Sequence, residues 1–266
     1  MAESLLGEIQ SYFWNKTQWC LPPIAKPWFR GHEDKAWKLA PSIFRGGWSK
    51  YEFPLTKRFR LLAPGFGVEI PEGRLDQWLF VMQHNGAPTR LLDWTESLNT
   101  AVFFACLDWI KARDIGKTTD GVVYALNPIF LNKQVIDLAE FPVTWVQGRV
   151  LQTIKFAFGT ELERVEGQMI APLDLPVAIF PSTVHGRMRS QKSCFTLHGI
   201  DQSGLSEIFR RLGWPEEMLV NYVIPANEKP QLASELALAG TTYSTVFPDL
   251  EGLANDLRFH VRDMSS

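Results

Sequence analysis

The chain is poor in cysteine. Cys20, Cys106 and Cys194 stand far apart and form no CxxC pair. That argues against a disulfide scaffold and fits reduced thiols in a cytoplasmic setting. Long apolar runs are missing as well: the longest, 101–107, falls far short of the ~20 residues that a membrane helix needs, so no membrane partner is expected. Neither sign of charge dominates, with 27 Lys+Arg against 29 Asp+Glu, so no global basic field draws in nucleic acid. Residues 1–4, Met-Ala-Glu-Ser, offer no basic segment leading into an apolar one, and export by a standard signal is not expected. The signatures GxGxxG, GxxxxGK(S/T) and GxSxG do not occur. His32, His84, His185, His198 and His260 lie outside every HExxH, H-x3-H or Cys/His spacing, so no metal is expected.

What is present is apolar surface: 45% of 266 residues, enough to offset chain entropy over one large domain. Of ten tryptophans, eight precede residue 110, which suits a bulky core and an aromatic-walled cleft equally. Helical periodicity appears over 4–15, 51–62, 74–84, 205–212 and 231–239, and again after Phe247-Pro248-Asp249. Strands are expected at 28–30, 121–126, 176–180, 192–198 and 219–224. Asp93-Trp94-Thr95-Glu96 has the spacing of a capping box, and a helix over 96–113, apolar nearly all round, belongs in the centre. No linker or repeat interrupts the chain. The expectation is a single α+β domain over 1–266, with its core at about 25–260. A mixed sheet core carries flanking helices, and the N-terminal helix 4–15 packs on it.

The densest chemistry lies at 83–95, Gln-His-Asn-Gly-Ala-Pro-Thr-Arg-Leu-Leu-Asp-Trp-Thr. His84, Thr89, Arg90, Asp93, Trp94 and Thr95 can all address a ligand, and a helix N-terminus beside them suits a phosphate or carboxylate. The bland reading makes Asp93 and Thr95 caps and Arg90 a surface ion-pair partner. A second segment is Trp28-Phe29-Arg30-Gly31-His32, followed by 39–45 with Arg45 at its end. Arg30 can aim a planar fork at a phosphate or ribose, with Gly31 letting backbone approach the ligand. Alternatively, Arg30 is buried against a carboxylate such as Asp93. A third segment, 187–199, is a basic turn entering a strand and holds Gln191. Cys106 reads as core packing, while Cys194 with His84 or His198 forms a weaker thiol–imidazole candidate.

At these residues the chain resembles the FRG domain family. The resemblance rests on Phe29-Arg30-Gly31, on Trp37 with 39–42, on the 83–95 block, on 101–105, on 191–196 and on 247–253, and so spans about 28–255. The family layout is similar to ADP-ribosyltransferases, which implies an NAD-using enzyme of the kind found in bacterial toxins and phage-defence effectors. The resemblance implies Arg30, Asp93 and Gln191 as catalytic residues. Gly31, His32, His84, Thr89, Arg90, Trp94 and Thr95 would bind the nucleotide, and Trp94 or Trp28 would stack on nicotinamide. Thr95 or Ser97 would belong to the middle element. NAD is the expected substrate, a protein or nucleic acid its target. Gln191 departs from the pattern, because a neutral amide cannot steady an oxocarbenium-like charge. The alternative is a non-catalytic module that binds a nucleotide, nucleic acid or protein in the same cleft. Convergence of Arg30, Asp93 and Gln191 on one pocket is the structural expectation.

Overall fold

Runs of alternating or fully apolar residues build a central sheet. The computed structural model describes residues 4–19, 21, 25–112, 115–136, 147–181 and 191–263. Its strands are β1 (Trp28–His32), β2 (Leu91–Thr95), β3 (Gly121–Leu126), β4 (Arg164–Val165), β5 (Gln168–Met169), β6 (Val177–Ile179), β7 (Ser193–Leu197) and β8 (Leu219–Ile224). The main sheet has the order β6-β7-β2-β1-β3-β8, and β4 with β5 forms a separate small hairpin. Every neighbouring pair in the main sheet is antiparallel. The α+β class is therefore as expected, whereas the expectation of a mixed sheet is corrected. A strand–helix–strand succession reads as a parallel crossover. β2 and β3 do run in the same direction, but β1 lies between them.

The helices are α1 (Leu5–Lys16), α2 (Glu52–Leu62), α3 (Leu75–His84), α4 (Leu98–Ala105), α5 (Leu107–Ala112), α6 (Pro128–Ile136), α7 (Gly148–Ala157), α8 (Leu205–Leu212), α9 (Lys229–Leu238), α10 (Tyr243–Val246) and α11 (Leu250–Asp263). Among the described residues no helix is long and apolar enough to cross a membrane. Side chains alternate across each strand, so the sheet has two distinct faces. One face packs Phe29, Val123 and Ala125 under α1, α4, α5 and α9. On that same face, Leu91, Phe195 and Leu197 pack under α3 and α7. The opposite face carries Trp28, Leu92, Trp94, Tyr124 and Cys194 against α6 and α8. The first face therefore holds two helical groups, one on each side of the β1–β2 line. α1 is fixed to α9 because Glu235 accepts the orphan N–H groups of Leu5 and Leu6 at 3.3 and 2.8 Å, a carboxylate at a helix N-terminus.

Two local expectations are corrected. The 91–95 segment is strand, not the start of a helix, so Asp93 and Glu96 form no capping box. Leu91, Leu92 and Trp94 find partners in β7, and that pairing outweighs the helical spacing. The cap is Ser97, whose hydroxyl accepts from Thr100 N at 3.3 Å. The long central helix is broken at Cys106 into α4 and α5. α4 is central, as its composition requires, and lies directly on β1. A Cβ at Gly31 would sit 1.9 Å from the Ala101 carbonyl oxygen and 2.7 Å from Ala105 N. Gly31 is thus the position where a helix backbone touches the sheet, and its bare Cα serves that packing rather than a ligand.

Candidate functional site

The gap between the two helical groups is a cleft of about 680 Å³. Its floor is the β1–β2 line. Its walls are Phe104 of α4 with Phe247 and Asp249 on one side, and the end of α3 from Gln83 to Gly86 on the other. The α3 end is built as the Asn85-Gly86 pair dictates: Gly86 takes φ +73°, and Ala87 N closes onto Met82 O at 3.0 Å. Gln191, Ser193 and Phe195 complete the β7 side. Arg30, Asp93 and Gln191 all line this one cleft.

The floor is split. β1 pairs with β3 through five residues, but with β2 at Phe29 and Thr95 alone. Beyond that point the Arg30 guanidinium occupies the gap. Its Nη1 donates to the main-chain oxygen of Asp93 at 2.6 Å, and its Nε donates to His32 Nε2 at 2.9 Å. Since Nε2 accepts, the ring proton of a neutral His32 sits on Nδ1. Burial, reinforced by Arg30 and Arg45, drives the His32 pKa down to about 2, so the ring is a neutral prop. The Arg30 side chain is 17% exposed, and its Nη2 has no hydrogen bond to a described residue. Burial lowers the Arg30 pKa, while Asp93 raises it. From so high a starting value the group stays charged.

Asp93 projects into the cleft with its side chain 53% exposed and Oδ2 3.7 Å from Arg30 Nη1. That contact is a loose ion pair, which leaves both charges available. Gln83 orients the carboxylate: its Nε2 donates to Asp93 Oδ2 at 2.7 Å, while its Oε1 accepts from the Thr89 hydroxyl. Thr89 Oγ1 in turn accepts from Leu91 N at 3.1 Å. A chain of three hydrogen bonds thus runs from β2 through Thr89 and Gln83 back to β2. Thr95 Oγ1 donates to the Gln191 main-chain oxygen at 2.5 Å and accepts from Ser97 N at 3.0 Å. The Gln191 amide donates to Val246 O at 3.1 Å. Thr95 therefore fixes the turn that carries Gln191.

The structure separates the remaining sequence candidates. His84 lines the cleft, as do Gly31 and Thr95. His32 and Thr89 lie beneath it, 3% and 1% exposed, and support Arg30 and Gln83. The ligand role of Arg90 and its reading as a surface ion-pair partner are both corrected. Arg90 is buried, with Nε on Glu52 at 2.8 Å and Nη1 on the carbonyls of His198 and Gly199 at 3.0 and 2.8 Å. Trp94 borders the cleft, but its ring is 2% exposed and donates to Thr196 Oγ1 at 3.1 Å, and Trp28 is wholly buried. Neither indole is a stacking surface; the part-exposed aromatic wall is Phe104, with Phe247 beside it. The thiol candidate is also corrected: Cys194 is buried, and burial pushes its pKa well above the usual range. Cys106 is core, its thiol pushed up to about 12 by burial. Cys20, His185 and 187–190 lie outside the described residues. Sequence reasoning did not single out Gln83 or Asp249 as site residues. Both sit at helix ends, where a polar residue reads first as a cap.

No curated protein and no solved structure matches the chain. The family model of the FRG domain matches residues 25–113. Those residues include β1, β2 and α4, and with them Arg30, Gln83, Asp93 and Thr95; the segments 191–196 and 247–253 fall beyond the match. The matched motif lies along the split floor of the cleft, so residues 25–113, which carry Arg30 and Asp93, are what the chain shares with the FRG domain.

Proposed function

We propose that the cleft binds NAD and that the protein transfers ADP-ribose from it to water or to a macromolecular target, an activity of the kind used by toxins and phage-defence effectors. One observation carries this reading. A cation held in a strand split, Arg30, and an exposed carboxylate, Asp93, stand 3.7 Å apart on the floor of a 680 Å³ cleft. Arg30 offers its spare donor to a phosphate or ribose hydroxyl. Phe104, with the Phe247 ring packed edge-to-face against it at 89°, offers an apolar wall to the nicotinamide ring. When the C1′–N bond breaks, its electron pair stays on the nicotinamide nitrogen and positive charge grows on the ribose. Asp93 is the group placed to steady that charge. The acceptor then forms the new bond to C1′ and releases its proton to solvent.

A second reading keeps the binding and drops the reaction. It is favoured by Gln191, whose amide is tied to Val246 and brings no charge to the third position. Release of nicotinamide, followed by chromatography, separates the two. The transferase reading expects release by the wild type, loss of release in Asp93→Asn with nucleotide binding kept, and loss of binding in Arg30→Ala. Thermal stabilisation by NAD without nicotinamide release makes the protein a binding module. NAD that neither stabilises nor reacts overturns both.

A further inference from the structure

A smaller cavity of about 240 Å³ adjoins the cleft and shares Arg30, Gln83, Gly86 and Asp93 with it. Its other walls are Ser42, Arg45, Ala87, Leu91 and Leu92. We propose that this cavity, between Arg30 and Arg45, is an anion subsite that takes the diphosphate of a dinucleotide. The proposal rests on reading the cleft as a nucleotide site, and it assigns a new residue, Arg45, to selecting the ligand.

Two guanidiniums facing one cavity repel each other, and Arg45 accordingly lowers the Arg30 pKa. The fold relieves this on the Arg30 side alone, where Asp93 Oδ2 stands 3.7 Å from Nη1. Arg45 is exposed, its backbone N–H is used on Ser42 O at 3.1 Å, and its side chain has no ion pair or hydrogen bond to a described residue. The bordering carboxylate, Asp93, is held toward Gln83 at 2.7 Å. Ser42 Oγ accepts from Thr89 N at 3.3 Å, which leaves the hydroxyl proton for an incoming oxygen. The backbone N–H groups of Gly86 and Ala87 are already bonded to Gln83 O and Met82 O. The donors for an anion are therefore side chains: the free Nη2 of Arg30, the fork of Arg45 and the Ser42 hydroxyl. Two forks flanking one space match the several oxygens of a diphosphate better than a single carboxylate.

The surroundings indicate that the anion is part of a longer molecule. Arg45 also borders a second groove, of about 420 Å³, that includes Lys38, Phe44 and the half-exposed Trp37. The reacting ribose over Asp93, the diphosphate between the arginines and a base near Trp37 then follow one another along a single track.

Binding to the 266-residue chain is measured by titration calorimetry with inorganic pyrophosphate, ADP, AMP and adenosine. Wild-type protein is expected to bind ADP and pyrophosphate, AMP more weakly, and adenosine least. Arg45→Ala is expected to lose at least about tenfold in affinity for ADP and pyrophosphate, equal to about 1.4 kcal/mol. Arg45→Lys should recover part of that, with the unliganded Tm unchanged because Arg45 is exposed. Wild-type protein that ignores pyrophosphate and ADP, or Arg45→Ala that binds them as the wild type does, overturns the subsite. Failure of the enzymatic reading looks different: no nicotinamide release from NAD, yet pyrophosphate binding that still depends on Arg45. NAD turnover with an unaltered KM in Arg45→Ala sinks the subsite and spares the transferase.

Discussion

Arg30 Nη1 donates to the main-chain oxygen of Asp93 at 2.6 Å, across a gap where two adjacent strands of one sheet have parted. A side chain stands where a ladder hydrogen bond would otherwise run. The same guanidinium lines the cleft, so the fold and the site share one group. The fold therefore keeps a largely buried cation within reach of ligand, held only by a loose ion pair to Asp93 at 3.7 Å.

Arg30 substitutions should separate its two roles. Arg30→Ala leaves a carbonyl and a buried imidazole nitrogen without their donor, which costs about 1–3 kcal/mol. That lowers Tm by a few degrees in calorimetry, not by unfolding the chain. Arg30→Lys keeps the charge but cannot serve Asp93, His32 and a ligand together. ADP-ribose affinity should drop by roughly 10–100-fold in Arg30→Lys, by analogy with a lost charged hydrogen bond of about 1.5–3 kcal/mol. Wild-type affinity in Arg30→Lys would show that the fork is not what the ligand uses.

Gly31→Ala tests the packing of α4 on β1. The added methyl would meet Ala101 O at 1.9 Å, and a backbone atom cannot swing aside as a side chain can. Overpacking of this kind costs about 1–3 kcal/mol or more, and the helix that shifts also carries the cleft wall at Phe104. Gly47→Ala is the control: φ is +76° with open space around it, so the cost is the left-handed backbone alone, about 1–2 kcal/mol. Denaturant midpoints should rank Gly31→Ala well below Gly47→Ala. The reverse order would mean that α4 is not seated on β1.

Much of this was legible in residues. β3, α8 and β8 fall where apolar period and turn signals put them, because each pairs or packs along its whole length. The cleft's chemistry was legible too, in Arg30 and in the 83–95 block. What misled was strength of local pattern. Asp93-x-x-Glu96 looks like a cap, yet β2 lies between β1 and β7, and long-range pairing decides such short segments. Arg90, dense with potential, pairs instead with Glu52, 38 positions earlier in the chain but adjacent in space. Distant partners such as Arg90 with Gly199, or Gln191 with Val246, leave no mark in spacing.

Arg90 and Glu52 should behave as a structural strut. Both are buried, and the guanidinium also lies 5.8 Å from the Phe44 ring and 5.4 Å from that of Phe156. Arg90→Met alone strands a buried carboxylate and should cost about 3–5 kcal/mol, as should Glu52→Leu. The double change should recover part of that loss, giving a positive coupling energy in a double-mutant cycle. Nucleotide affinity, measured at a temperature where each variant is folded, should stay within about twofold of wild type, a difference of about 0.4 kcal/mol. A selective loss of affinity would return Arg90 to the ligand site.

Acid should weaken the protein through two buried histidines. His32 and His198 are driven to about 2 and about 3, each first by burial, and then by Arg30 and Arg90 respectively. Both values lie below the ordinary 6.5, so the native state refuses protons that the unfolded chain takes up. Their contribution is present in full above pH 6.5 and is lost progressively as pH falls from there toward 2–3. Each ring gives a slope of about 1.4 kcal/mol per pH unit once the unfolded form is mostly protonated. Between pH 6 and pH 5, before most carboxylates titrate, urea unfolding should therefore show stability falling with pH. His32→Gln, which keeps an acceptor for Arg30, should remove roughly half of that histidine slope, and His198→Gln the other half. Equal slopes in wild type and both variants would mean that these rings take up protons in the folded state, and that Arg30 is not held by a neutral imidazole.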